Sequence, residues 1–216
     1  TCKFSTTRSP TGLTKMKILW LLVYLSVFVW SAIEPKEYFT WFLEVLPALI
    51  ALLIIAVSYN RFRLTSLSYL LILLHCLILM VGGHYTYAEV PLFDTLAQAM
   101  DWQRNHYDKL GHLAQGFVPA IIAREILIRF EIVAIAAWRN FFIVSFCLGF
   151  SAFYEIIEWW VALASGEDAE AFLGTQGYIW DTQSDMAMAL LGALVALLLL
   201  STAHDGQLRR MQALSD

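Results

Sequence analysis

Apolar residues run in long blocks along this chain, separated by short polar clusters. A bilayer's hydrocarbon core is about 30 Å thick and takes roughly 20 apolar residues as helix. Six blocks meet or approach that length: about 18–35, 40–59, 66–83, 107–129, 139–163 and 183–202. The third is almost unbroken Leu and Ile. The fourth is pinched by Lys109 and Arg124 and carries Pro119, which predicts a kink whose freed carbonyl neighbouring helices must satisfy. The expected fold is all-α: a six-transmembrane-helix bundle over 18–202, with tails at 1–17 and 203–216. Met16-Lys17 before the first block reads as an internal start, with residues 1–15 as an extension or tail. No A-x-A-like site follows that block, so it reads as a retained helix. Between the spans, Asp94 predicts the N-cap of a short helix over Thr95–Arg104, and Ser165 a second cap. Gly174 and Gly177 read as breakers.

Composition agrees with this pattern. Of 216 residues, 59% are hydrophobic and 15% charged, against about 25% charged in soluble domains. That excludes an ordinary soluble enzyme and a disordered chain, and with no basic stripe it excludes nucleic acid as a partner. Cys2, Cys76 and Cys147 are odd in number and have no paired spacing, so they read as small apolar residues rather than a disulfide or zinc framework.

The net charge of −4 says little until it is sorted by topology. With a cytoplasmic N-terminus, all 14 Lys and Arg except Lys36, Arg104 and Lys109 fall on the cytoplasmic side. That is a positive-inside pattern and puts both termini in the cytoplasm. Acidic residues go the other way: Glu34, Glu37, Glu89, Asp94, Asp101, Asp108, Asp181 and Asp185 lie outside, with Glu167, Asp168 and Glu170.

Ionisable groups within the spans carry the candidate chemistry, because in lipid they face a bundle interior or a watery cavity. The fourth helix has Asp108, His112 and Gln115, the fifth Ser151, Glu155 and Glu158, and the sixth Asp181, Asp185 and Met188. Each set is spaced i, i+4, i+7, on one face. His84, Tyr85 and Tyr87 close the third helix. All fall by depth in one outer layer. Plainer readings exist for several. Asp108 fits a capping box opened by Asn105, Asp181 an N-cap, His84 an interfacial aromatic, His75 an interhelical hydrogen-bond partner and Glu44 an outward snorkel. Glu155 and Glu158 resist such readings. Two carboxylates one turn apart inside a span need a cation, a shared proton or a basic partner such as Lys109 or Arg104.

Carboxylates with imidazole suit a divalent metal (Zn, Mn or Mg), with His84, His112, Glu155, Glu158, Asp181 and Asp185 as candidate ligands. Without metal, Glu155, Glu158, His112 and Asp108 suit acid–base catalysis. No G-x-S-x-G, phosphate loop or dinucleotide fingerprint is present.

Four blocks resemble the YjdF-like bacterial inner-membrane family. They are Gly82-Gly83-His84-Tyr85-Thr86-Tyr87-Ala88-Glu89-Val90-Pro91; Tyr107-Asp108-Lys109-Leu110-Gly111-His112 with Gln115-Gly116-Phe117-Val118-Pro119-Ala120; Ser151-Ala152-Phe153-Tyr154-Glu155 with Glu158-Trp159; and Ala171-Phe172-Leu173-Gly174-Thr175-Gln176-Gly177 followed by Trp180-Asp181-Thr182-Gln183 and Asp185-Met186. Tyr178 and Ser184 depart from the pattern. The resemblance implies location and fold, in the inner membrane, rather than a reaction. Asp108, Lys109, His112, Glu155 and Asp185 are also similar, more loosely, to positions in VanZ-like membrane proteins, which points to the cell envelope.

Three functions are compatible with these residues. The first is an outward-facing hydrolase or transferase, metal-assisted or acid–base, acting on a lipid or lipid-linked head group. The second is a small proton-coupled transporter switching on Glu155 and Glu158. The third is a non-catalytic envelope protein that binds a partner through its acidic outer loops. Beyond the bilayer itself, partners and oligomeric state are open.

Overall fold

The computed structural model describes residues 10–165 and 176–213. Among them are seven helices and no strand: α1 (Pro10–Ala32), α2 (Tyr38–Ser58), α3 (Ser66–Tyr85), α4 (Pro91–Ala99), α5 (Tyr107–Arg129), α6 (Ala136–Ser165) and α7 (Asp181–Gln212). Five of them, α1, α2, α3, α6 and α7, are long and apolar enough to cross a membrane. α5 has the length, 23 residues, but not the apolarity. Its place in the fold explains this. It packs against α3, α6 and α7, and Gly111, His112, Gln115, Gly116, Arg124 and Glu125 are all buried. A helix wrapped by other helices has little lipid to satisfy, so polar residues cost it less than they cost a lipid-facing neighbour. α5 runs as one helix through Pro119.

Close backbone contact sets the relation of α5 to α7. A Cβ on Gly116 would lie 1.8 Å from the Ala189 carbonyl oxygen, and one on Gly192 would lie 2.1 Å from that of Leu113. Small residues permit this approach, as in other close helix pairs in membranes. Contacts from Asp108 with Asp185 through to Arg124 with His204 keep a steady offset, so the two helices run parallel. Their N-termini therefore meet at one end of the bundle.

The opposite end holds a second buried polar network. Glu125 and His204 are fully buried. Glu125 accepts from the Thr65 backbone N–H at 2.9 Å, the Ser68 hydroxyl at 2.7 Å, Arg129 at 3.0 Å and His204 Nε2 at 3.2 Å. Arg124 reaches His204 Nδ1 at 3.1 Å and Asp205 at 2.7 Å. Both Glu125 oxygens have partners, so this network ties α3, α5 and α7 together as a staple.

Several expectations are corrected here. The short outer helix starts at Pro91, because a proline suits the first helical position, and Val90 is its N-cap. Asp94 falls in its first turn, and the helix ends at Ala99 rather than Arg104. α7 runs ten residues past its apolar block and packs His204 and Leu208 into the bundle, where a tail was expected. Asn105 does not open a capping box. Its Oδ1 accepts from the Tyr107 N–H, and its amide donates to Val90 and Asp94, so Asp108 is left free to face inward. Cys76 and Cys147 are buried free thiols. The expected cap at Ser165, the breaker at Gly174 and the acidic residues 167, 168 and 170 lie outside the described side chains.

Candidate functional site

The site forms where α2, α3, α5, α6 and α7 end together. His112 is 5% exposed and lies at its centre. Its Nδ1 lies 3.0 Å from Gln115 Oε1, one turn along the same helix. Nδ1 is thereby engaged on its own helix, which leaves Nε2 to face the site. Nε2 faces Asp108 Oδ1 at 3.5 Å and Glu155 Oε1 at 3.7 Å. Nε2 and two carboxylate oxygens at these distances need a proton or a cation between them.

Two groups of side chains share His112. Asp108, His112 and Asp185 form one, and His112, Glu155 and Glu158 the other; within each, the ligand-type atoms lie within 4.8 Å of one another. Glu155 Oε1, Asp185 Oδ1 and the Ser151 hydroxyl are buried without a hydrogen-bond partner. Buried carboxylate oxygens are rarely left unpaired. The saturated Glu125 network, built on the same two helices, leaves no carboxylate oxygen bare in this way.

Glu44, expected to snorkel outward, turns inward instead. It is 6% exposed and lies near Asp108 and His112. Thr40, one turn earlier on the same face, is also buried. That i, i+4 polar pair inside an apolar helix was a signal that α2 contributes to the site. The Gly82-Gly83 pair explains how α2 and α3 come so close. A Cβ on Gly83 would lie 3.1 Å from Glu44 Cβ. One on Gly82 would strike the Tyr87 ring, as would one on Gly111 at 2.9 Å. Thr86 and Tyr87 adopt left-handed backbone angles of 56° and 52°, and the Tyr87 N–H bonds to the Gly82 carbonyl at 2.8 Å. The turn folds Tyr87 back over its own helix beside Glu44. Burial first, then the neighbouring Glu44 charge, push the Tyr87 phenol well above its ordinary value, so it stays a proton donor.

Other expected residues are placed differently. Asp181 is the first residue of α7 rather than its N-cap, which is Trp180. Its carboxylate is held by Arg104 at 2.6 Å, so Arg104 pairs with Asp181 rather than with Glu155 or Glu158. His84 stands apart from both His112-centred groups, its Nδ1 3.1 Å from the Ser31 carbonyl and its ring 4.5 Å from that of Trp30. His106, just before α5, has its imidazole held below the ordinary value by burial and then by the charges of Lys109 and Arg104.

Spanning helices wrapped around a polar central helix define an integral, polytopic membrane protein. The chain belongs to the family described as Predicted membrane protein (DUF2238), whose model matches residues 16–206. It is 48% identical over 184 residues to Inner membrane protein YjdF of Escherichia coli (strain K12), covering 85% of this chain and 88% of that one. The resemblance seen in the four sequence blocks is thus borne out. No solved structure matches the chain.

Proposed function

We propose that this is a bacterial inner-membrane enzyme, six helices deep with α5 as the sixth span and both termini cytoplasmic. Its outward-facing site holds a divalent metal and carries out hydrolysis or transfer on a lipid or lipid-linked head group. The observation that carries this reading is Nε2 of His112 facing carboxylate oxygens, beside two buried oxygens that lack partners. His112 with Asp108 and Asp185 would hold the cation, which acts as a Lewis acid. Glu155 and Glu158 are then the proton acceptors. In hydrolysis, water adds to the head-group centre, its proton passes to a glutamate, and the same proton goes to the oxygen of the breaking bond. Zinc, manganese and magnesium all suit this mixed oxygen and nitrogen set.

The test is head-group release from vesicles of the host's own lipids, followed by phosphorus NMR with and without a chelator. Release that stops on chelation and in Glu155→Gln supports the reading. A metal-free protein that remains active contradicts the metal. Proton-coupled transport draws support from the second buried ionisable network, but Val118, Ile121, Ala193 and Ala196 separate the two layers on the same helices. Proteoliposome flux abolished by Glu155→Gln would favour transport instead.

A further inference from the structure

α5 and α7 are parallel and begin side by side; Asn105 takes the first N–H of α5, no side chain caps α7, and Asp108 and Asp181 stand in the two first turns. Each such terminus carries about half a positive charge, with backbone N–H groups directed outward, which suits an anion. Two cations stand at the same lip, their charges 4.7 Å (Arg104) and 5.2 Å (Lys109) from the Tyr178 ring centre. Arg104 is engaged by Asp181. Lys109 has no carboxylate partner among the described residues, and it occupies the first turn of α5, where the helix dipole opposes a positive charge. Asp108, beside it in the same turn, offsets part of that cost. Deeper in the bundle, Asp185 Oδ1 and Glu155 Oε1 lie buried and unpartnered, which suits a cation rather than an anion at that depth.

With Lys109 at the lip and carboxylates below, the ligand that fits both through one metal is a group with several anionic oxygens. Trp102, Trp180 and Tyr178 lie partly exposed at this end, as aromatic side chains do at the level of lipid head groups. We infer that the site binds a phosphate group, held between Lys109 with the two helix N-termini and a divalent metal at His112, Asp108 and Asp185. This rests on the metal reading above, and deepens it by naming the substrate class. One oxygen of the phosphate would meet the metal while the others face the lip. The shared chemistry is the phosphate, borne by a lipid or free in solution.

Calorimetric titration of the full-length protein in detergent separates the possibilities. Manganese is titrated first, then inorganic phosphate or dihexanoyl phosphatidic acid, for wild type, Lys109→Gln and Lys109→Arg. Binding of a phosphate probe only after manganese, weakened about tenfold in Lys109→Gln and restored in Lys109→Arg, is expected from loss of one charge-assisted contact. Tighter binding of the lipid probe assigns the phosphate to a lipid, and equal binding assigns it to free phosphate. Manganese binding with no response to either probe, or an unchanged Lys109→Gln, overturns the phosphate inference while the metal reading stands. Failure of wild type to take up manganese removes both. A thermal melt shows whether each lysine variant is folded.

Discussion

At the scale of single residues, the two buried polar layers differ in what their carboxylates lack. Glu125 has a partner on each oxygen, whereas Glu155 and Asp185 each leave one oxygen bare. Isosteric amides should therefore act oppositely. Glu125→Gln loses charge-assisted bonds in a closed network and should cost about 1–3 kcal/mol. Glu155→Gln removes a like charge from a crowded site and should leave thermal stability unchanged or raised, at the expense of function. Melting curves of the two variants in the same detergent compare them directly. Glu37 offers a pH test. Its carboxyl is partly desolvated, which disfavours the charge. Bonds from the Thr40 and Phe39 backbone N–H groups outweigh that and hold it below the usual carboxylate range. The cap on α2 is thus fully present above the ordinary carboxylate value and lost as pH falls through the lowered one. Acid unfolding of Glu37→Gln should lack that part of the transition. That Asp108 and His112 share a face was legible from i, i+4 spacing, and that Glu155 lies in the same layer from its depth in its own span. Glu44 was not, because whether a lone carboxylate near a helix start points to water or inward depends on Tyr87 and Gly83, more than thirty residues away.

At the scale of elements, the polar α5 is the helix against which α3, α6 and α7 all pack. Its bounds were readable because both ends carry polar punctuation, but its central position was not, since hydropathy ranks it weakest. The start of α4 was misread because Pro91 competes for the first helical position better than Asp94 competes for the cap. The length of α7 was hidden because its last turns are held by Arg124 and by the Gln207 side chain reaching the Leu67 N–H, not by apolar pattern. The α5–α7 crossing sets the register that brings Asp185 to Asp108. Gly192→Leu should force these backbones apart, cost about 1–3 kcal/mol or more, and reduce metal binding, although it lies two turns from the nearest carboxylate. Gly82→Ala should displace Tyr87 instead, with a smaller loss of stability and a larger one of function. Melting temperature and metal content measured together tell the two apart.

At the scale of the whole molecule, charge separates by end. Arg61, Arg63, Arg129, Arg139, Arg209 and Arg210 lie at the end of the Glu125 staple, and acidic residues dominate the other. The proposed orientation puts that acidic end outside the cytoplasm. In a Cys2→Ser background the remaining thiols, Cys76 and Cys147, are buried and should stay silent. An impermeant maleimide added to intact spheroplasts should then label Ile179→Cys, which is 83% exposed, and spare Arg209→Cys. The reverse pattern would turn the site toward the cytoplasm. The central claim is that the His112 layer holds a divalent metal while the Glu125 layer only holds helices together. Metal analysis of purified wild type, Asp185→Asn, His112→Ala and His204→Ala addresses it most directly. The account predicts stoichiometric metal in wild type and in folded His204→Ala, with little in Asp185→Asn and none in His112→Ala. Metal content unchanged by the His112 and Asp185 substitutions, or none in wild type, would contradict it.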